Sequence, residues 1–458
     1  MTEVAKLAEF VANARFEDIS AAALGQLKIR VLDTLGVAIG ALDAEPIRAI
    51  RALTDDLGGT PTATLIGGGK TSPERAAFYN SALSRYLDFM DSYLAKGETN
   101  HPSDNLGAVL AAAESVGADG SEFLTAFAVA YQVHTRLSDV APVRAKGFDH
   151  TTQGAYAAAA SAAKALRLNP EQIANAIAIS GTANNALRVT RTGNLSHWKG
   201  LAYPQVSKEG TFAALLAARG ITGPEEVFEG NKGFKDSIAG PFEIDWSKED
   251  LNHVTQTIVK KYNAEIHSQS ALDAAVDIHS QDGFLARAID KVTLRTFDVA
   301  YSIIGGGEEG DKRTVRTKEE ADHSLPWMVA VTLIDGELTP RQYAPERILA
   351  DDVQELMRKI EIIPDDDFSA RFPNEMPADL TVVLANGTTF HVAENSYEGF
   401  HDDPLDWSTA RAKFDSLTER FADQQLRDEI ALLVANLENE QVSTLTAALA
   451  RVGAAALV

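Results

Sequence analysis

Residues 380–392 read LTVVLANGTTFHV, and their pattern decides the class of the second half of the chain. Leu380, Val382 and Leu384 recur at strand period. Asn386-Gly387 supplies the residues that a type I′ loop requires, and Thr388, Phe390 and Val392 carry the chain back at the same period, so a hairpin is expected. Working outward, 359–363 and the alternating Val292 and Leu294 read as further strands, whereas 268–278 and 325–334 read as helices. This region is therefore expected to be α+β. Upstream the pattern is helix after helix: Ser20 is placed to cap a segment in which Leu24, Leu27, Val31, Leu32 and Leu35 share helical spacing, and 155–166 and 211–218 are rich in alanine, which favours helix and close packing. Helical patterning returns after Pro404, in 407–414, 426–437 and 445–452. The fold class predicted is mainly α with an α+β second domain: a large all-helical domain over 1–260, completed by 403–458, and a smaller α+β lid domain over 261–402.

The chain has 458 residues, 45% of them apolar, enough for a substantial core in more than one domain. The least polar long stretch, 173–187, is interrupted by Asn175, Ser180, Thr182, Asn184 and Asn185 and is too short for a membrane span. Glu3, Lys6 and Glu9 break up any signal-peptide core, so a cytoplasmic location is expected. The absence of cysteine removes disulfides, thiol nucleophiles, zinc ribbons and cysteine-ligated iron–sulfur clusters together. Against 42 basic residues stand 65 acidic ones, a net charge of −23. Such a surface repels nucleic acid and anionic membranes, and an anionic substrate needs a local positive pocket.

Chemistry concentrates in 86–105. Ser72 is placed to cap a helix with Pro73 at its first position and Glu74 in its first turn, and that helix is expected to run to Tyr93. Asp88, Asp91 and Ser92 would then share one face, beside Tyr86, Leu87, Phe89 and Met90, and lead into His101-Pro102-Ser103-Asp104-Asn105. Two acids three residues apart also suit a solvated helix face. As a magnesium motif the pair needs a second acidic helix motif facing it, and none is evident. Asp88, Asp91, His101 and Asp104 match no standard metal spacing, and there is no HExxH, so no metal site is expected. Residues 67–71, GGGKT, approach a phosphate loop but have Thr64 where that pattern needs glycine.

Further polar groups lie in Gly147-Phe148-Asp149-His150, in 188–208 with Arg188, Arg191, His197, Lys199 and Lys208 and no acid among them, around His267, and at Asp322-His323. In a chain this acidic, the 188–208 segment is a candidate for holding a carboxylate or phosphate. Structural hydrogen bonding is the ordinary role of a histidine, and most of those here are expected to have it.

The runs RYLDFMDSYLAKGETNHPSDNLGAVLA, GFDH, NNALRVTRTGN, AEIHSQSALDAA and ADHSLPWMVAVTLIDGELT, in that order along nearly the whole chain, resemble the MmgE/PrpD family and within it the 2-methylcitrate dehydratase branch. The resemblance implies a homodimer with a helical domain and an α+β lid, an active site between them, and no metal or organic cofactor. It implies catalytic roles for Asp88, His101, His150 and Lys208 and substrate contacts for Ser92 and His267; Ser103 of the polar turn and Arg188 and Lys199 of the cationic segment are the further candidates for substrate contacts. The reaction implied is loss of water from a citrate-like di- or tricarboxylate. A cis-aconitate-type decarboxylation is the alternative, and a non-catalytic helical scaffold that binds small acids is the third reading. The enzymatic readings share proton transfer at a carbon next to a carboxylate, which needs a base within hydrogen-bond reach and cationic donors for the developing charge.

Overall fold

The computed structural model describes residues 1–193 and 195–453. They form two compact units, one of Met1–Thr190, Gly200–Thr257 and the chain from Leu405 onward, the other of Arg191–Lys199 and Ile258–Pro404.

The first unit is helical. Helix Ala21–Gly40 starts where the Ser20 hydroxyl accepts from Ala23 N, and it buries Leu27, Val31, Leu32 and Leu35 while Leu24 stays half-exposed. In helix Thr151–Ala165 the alanines are buried on every side, which only small side chains permit at close helix spacing. The last helices, Trp407–Thr418, Gln424–Ala435 and Val442–Leu449, place Phe414, Ile430 and Leu445 in the same core. The glycine-rich run at 67–69 turns a small hairpin in which Ala63 pairs with Thr71, with Gly67, Gly68 and Gly69 all at positive φ.

The second unit is α+β. Its four-stranded sheet runs Ile360–Pro364, Ile289–Thr296, Ala378–Leu384, Thr389–Glu394. The first pair is parallel, with Val292 opposite Ile360, and the others are antiparallel, with Val292 opposite Val382 and Val382 opposite Phe390. Burial alternates along Ala378–Leu384. Its inner face shares a core with helices Gln269–His279 and Leu325–Asp335. The architecture is thus mainly α with an α+β second part.

Two local expectations are corrected. The hairpin at 380–392 forms, but its loop is not type I′: Gly387 has φ 86° while Asn386 is not left-handed. Gly387 N bonds Leu384 O and Leu384 N bonds Thr388 O, both at 2.8 Å. This is the three-residue loop in which a type I turn is followed by a left-handed glycine. The helix from Ser72 is also shorter than expected. It spans Pro73–Tyr86, and the Ser72 hydroxyl turns to Glu74 Oε1 at 2.5 Å instead of capping the helix. Beyond it Asp88 takes φ 56° and the chain continues as strand Asp91–Ala95. Asp88, Asp91 and Ser92 therefore do not share a helix face.

Among the described residues no helix is long and apolar enough to cross a membrane.

Candidate active site

The left-handed Asp88 lets the chain reverse. Strand Asp91–Ala95 pairs with Glu98–Asn100, Tyr93 opposite Asn100, and this short hairpin sets Ser92 beside His101. A 3-10 turn, Pro102–Asn105, then leads into helix Leu106–Ser115. His101 Nδ1 lies 2.7 Å from Asp91 O and 3.1 Å from Ser92 Oγ. The Asp91 carboxylate accepts from Ser103 Oγ at 2.6 Å, from Ser103 N at 3.3 Å and from Tyr131 Oη at 2.7 Å, with Arg30 Nε 3.7 Å away. All of these groups are buried. Burial pushes the Asp91 carboxyl above its ordinary range, and Arg30, Ser103 and Tyr131 offset only part of that. Asp88 is held by Arg85 at 2.6 Å, and Arg85 Nε also lies 3.6 Å from Asp104.

His150, just before helix Thr151–Ala165, faces this turn, its ring centroid 5.5 Å from that of His101 at near-perpendicular inclination. Asp149 Oδ1 is 3.4 Å from His150 Nδ1, and Arg188 reaches the other Asp149 oxygen at 3.8 Å. On the far side, the Tyr203 ring stacks on His150 at 6.4 Å and donates its hydroxyl to Asn105 Oδ1 at 3.0 Å. His134, its ring tilted 33° against that of Tyr203 at 5.6 Å, is fully buried, and burial drives its pKa down to about 3, so it is neutral at ordinary pH. The unit thus gathers Asp88, Ser92, His101, Ser103, His150 and Arg188. Lys208 is half-buried on helix Trp198–Ala217, where it pairs with Glu209 at 2.9 Å.

Lys199 and His267 belong to the second unit. Lys199 Nζ is 2.7 Å from Asp322 Oδ1 and 2.9 Å from His323 Nδ1, with Lys318 on the other Asp322 oxygen at 2.7 Å. Burial opposes the Asp322 charge, but Lys199, Lys318 and His323 outweigh it and hold that carboxyl well below the usual range. His267 Nδ1 meets Glu265 Oε1 at 2.7 Å, while its buried Nε2 has no hydrogen-bond partner among the described residues. Burial of Glu265 is likewise overcome by His267, His323 and Lys260, and its pKa falls to about 2. Three cations of 188–208 are therefore seated on carboxylates: Arg188 on Asp149, Lys199 on Asp322, Lys208 on Glu209.

Sequence reading missed Arg30, Tyr131, His134 and Tyr203. The available signal was a polar residue inside an apolar helical run, as in KIRVLDTLGVAIG and AFAVAYQVH, but such residues carry no spacing that links them to a turn elsewhere in the chain.

The chain matches the MmgE/PrpD N-terminal domain over residues 5–247 and the MmgE/PrpD C-terminal domain over 262–439. It belongs to the MmgE/PrpD family and is a lyase of that type. A 2-methylcitrate dehydratase of Cupriavidus necator is 28% identical, over 94% of this chain and 93% of the relative. One from Escherichia coli K12 is 27% identical, over 85% and 83%. A cis-aconitate decarboxylase of Mus musculus is 24% identical, over 92% and 87%.

Proposed function

We propose that the chain removes water from 2-methylcitrate or a closely related carboxylic acid, with His101 and His150 dividing the roles of base and acid. The observation that carries this reading is the pair of buried imidazoles with centroids 5.5 Å apart. One takes the proton from the carbon beside a carboxylate, whose electrons form the new double bond. The other gives a proton to the departing hydroxyl, which leaves as water. Arg188, poised over Asp149 beside His150, supplies positive charge for the substrate carboxylate, and Lys208 joins it by leaving Glu209. The names of the bacterial relatives support dehydration, and that of the mouse relative supports decarboxylation as the second reading. On the family resemblance, the protein is a homodimer of the cytoplasm and works without a cofactor. With no cysteine it has no ligands for an aconitase-type cluster.

Incubation with a panel of di- and tricarboxylates, read by mass spectrometry, tests this. The expected product is lighter by about 18 mass units, one water. A loss of about 44 moves the assignment to decarboxylation and leaves the histidines in place. Turnover should survive prolonged dialysis against EDTA. Loss of activity that a divalent ion restores would count against metal-free chemistry.

A further inference from the structure

The contact between His101 Nδ1 and Asp91 O, 2.7 Å, has only one sense. A peptide carbonyl accepts and never donates, so Nδ1 carries the proton. In the neutral ring the lone pair is then on Nε2, and the Ser92 hydroxyl 3.1 Å from Nδ1 is a second acceptor for the same N–H. What keeps the carbonyl in place is the side chain of the same residue. The Asp91 carboxylate is tied to Ser103 by both hydroxyl and amide, to Tyr131 of helix Gly120–Val140, and to Arg30 of helix Ala21–Gly40. Ser103 lies two residues after His101, so one carboxylate clamps both ends of the loop that bears the imidazole and anchors them to two long helices.

We propose that Asp91 is the positioning residue of this site: its clamped carboxylate fixes the carbonyl that holds the proton on His101 Nδ1, which makes Nε2 of His101 the base. This assigns within the dehydratase reading which histidine abstracts the proton, and it rests on that reading for its catalytic consequence only. The tautomer itself is a property of the resting protein.

The test labels the full-length protein with 15N-histidine and assigns the His101 ring signals by their loss in His101→Gln. At a pH where the ring is neutral, the wild type should show Nδ1 protonated and Nε2 bare. Asp91→Asn should give a mixture that includes the Nε2–H form, and kcat should fall about a hundredfold while KM changes by less than about threefold. Ser103→Ala and Tyr131→Phe each remove one donor and keep the carboxylate. They should shift the same signals less far, and they carry the test if Asp91→Asn does not fold. A wild-type ring protonated on Nε2, or folded variants that keep the wild-type spectrum, overturns the proposal. The spectrum needs no substrate, so a chain that dehydrates nothing in the panel but shows the expected tautomer loses the function and keeps the clamp.

Discussion

Asp88 occupies a backbone conformation that non-glycine residues avoid, φ 56°, and it does so buried. For an ordinary side chain the left-handed region costs about 1–2 kcal/mol, while aspartate and asparagine tolerate it best. Here the carboxylate is also the partner of the buried Arg85 at 2.6 Å. Removing one member of a buried pair leaves an uncompensated charge, at about 3–5 kcal/mol. Arg85 keeps Asp104 at 3.6 Å, so the lower end applies. Asp88→Ala should therefore lose about 3 kcal/mol in urea unfolding at unchanged slope, and Asp88→Asn, which retains the backbone preference, clearly less. Equal losses in the two variants would show that the conformation contributes nothing. His101→Ala bears on chemistry instead: the folded variant should lose about 10²–10⁴-fold in kcat, and turnover at the wild-type rate would remove His101 from the reaction. The histidines were legible as motif residues because HPSDN and GFDH are local. Arg30 and Tyr131 were not, because the clamp on Asp91 joins helices that only the tertiary fold brings together.

Element boundaries show where local signals decide and where they stop. The alternation in 380–392 sufficed for the hairpin, because one face of the strand must be buried and a shift by one residue would expose it. Turn type is a finer matter: Asn-Gly suits several loops, and the pairing of Leu384 with Thr388 selects the one with a single left-handed residue. A Cβ at Gly387 would meet nothing within 4 Å, so Gly387→Ala isolates backbone strain. It should cost about 1–2 kcal/mol, and Gly387→Asn less, measured by chemical unfolding. No change in Gly387→Ala would mean that the loop rearranges freely. The end of the helix from Pro73 is not legible in composition, because Leu87, Phe89 and Met90 continue its apolar content and the stop lies in the Asp88 backbone. Helix packing sets the site as well. A Cβ at Gly154 would lie 2.5 Å from the Tyr203 ring and 2.9 Å from its hydroxyl. Gly154→Ala should push Tyr203 off Asn105 and away from His150, lowering kcat more than stability. Full activity in that variant would release Tyr203 from any part in the site.

At the scale of the whole molecule, a net charge of −23 sets the long-range field, but buried carboxylates set the response to pH. They act with opposite signs in the two units. The folded pKa of Glu265, about 2, lies below the ordinary glutamate value of about 4.3, and that of Asp322 is depressed too. Groups of this kind contribute stability that is complete above the unfolded pKa and is lost as pH falls through the folded one. For Glu265 the loss begins near pH 4.3 and is complete near pH 2. The folded pKa of Asp91 is raised, so its contribution is full below the unfolded value and is lost as pH rises through the folded one. Acidification therefore weakens the α+β unit through the carboxylates that hold His267 and Lys199, while Asp91 favours the helical unit under the same conditions. Chemical unfolding at pH 5 and at pH 3 should show this most clearly through Glu265→Gln, which cannot titrate. The variant should be less stable than the wild type at pH 5, because His267 loses its charged partner at 2.7 Å. It should then lose less than the wild type on going to pH 3. An equal or larger loss in the variant would mean that the charge on Glu265 does not stabilise this unit, and the acid sensitivity would have to be sought at Asp322.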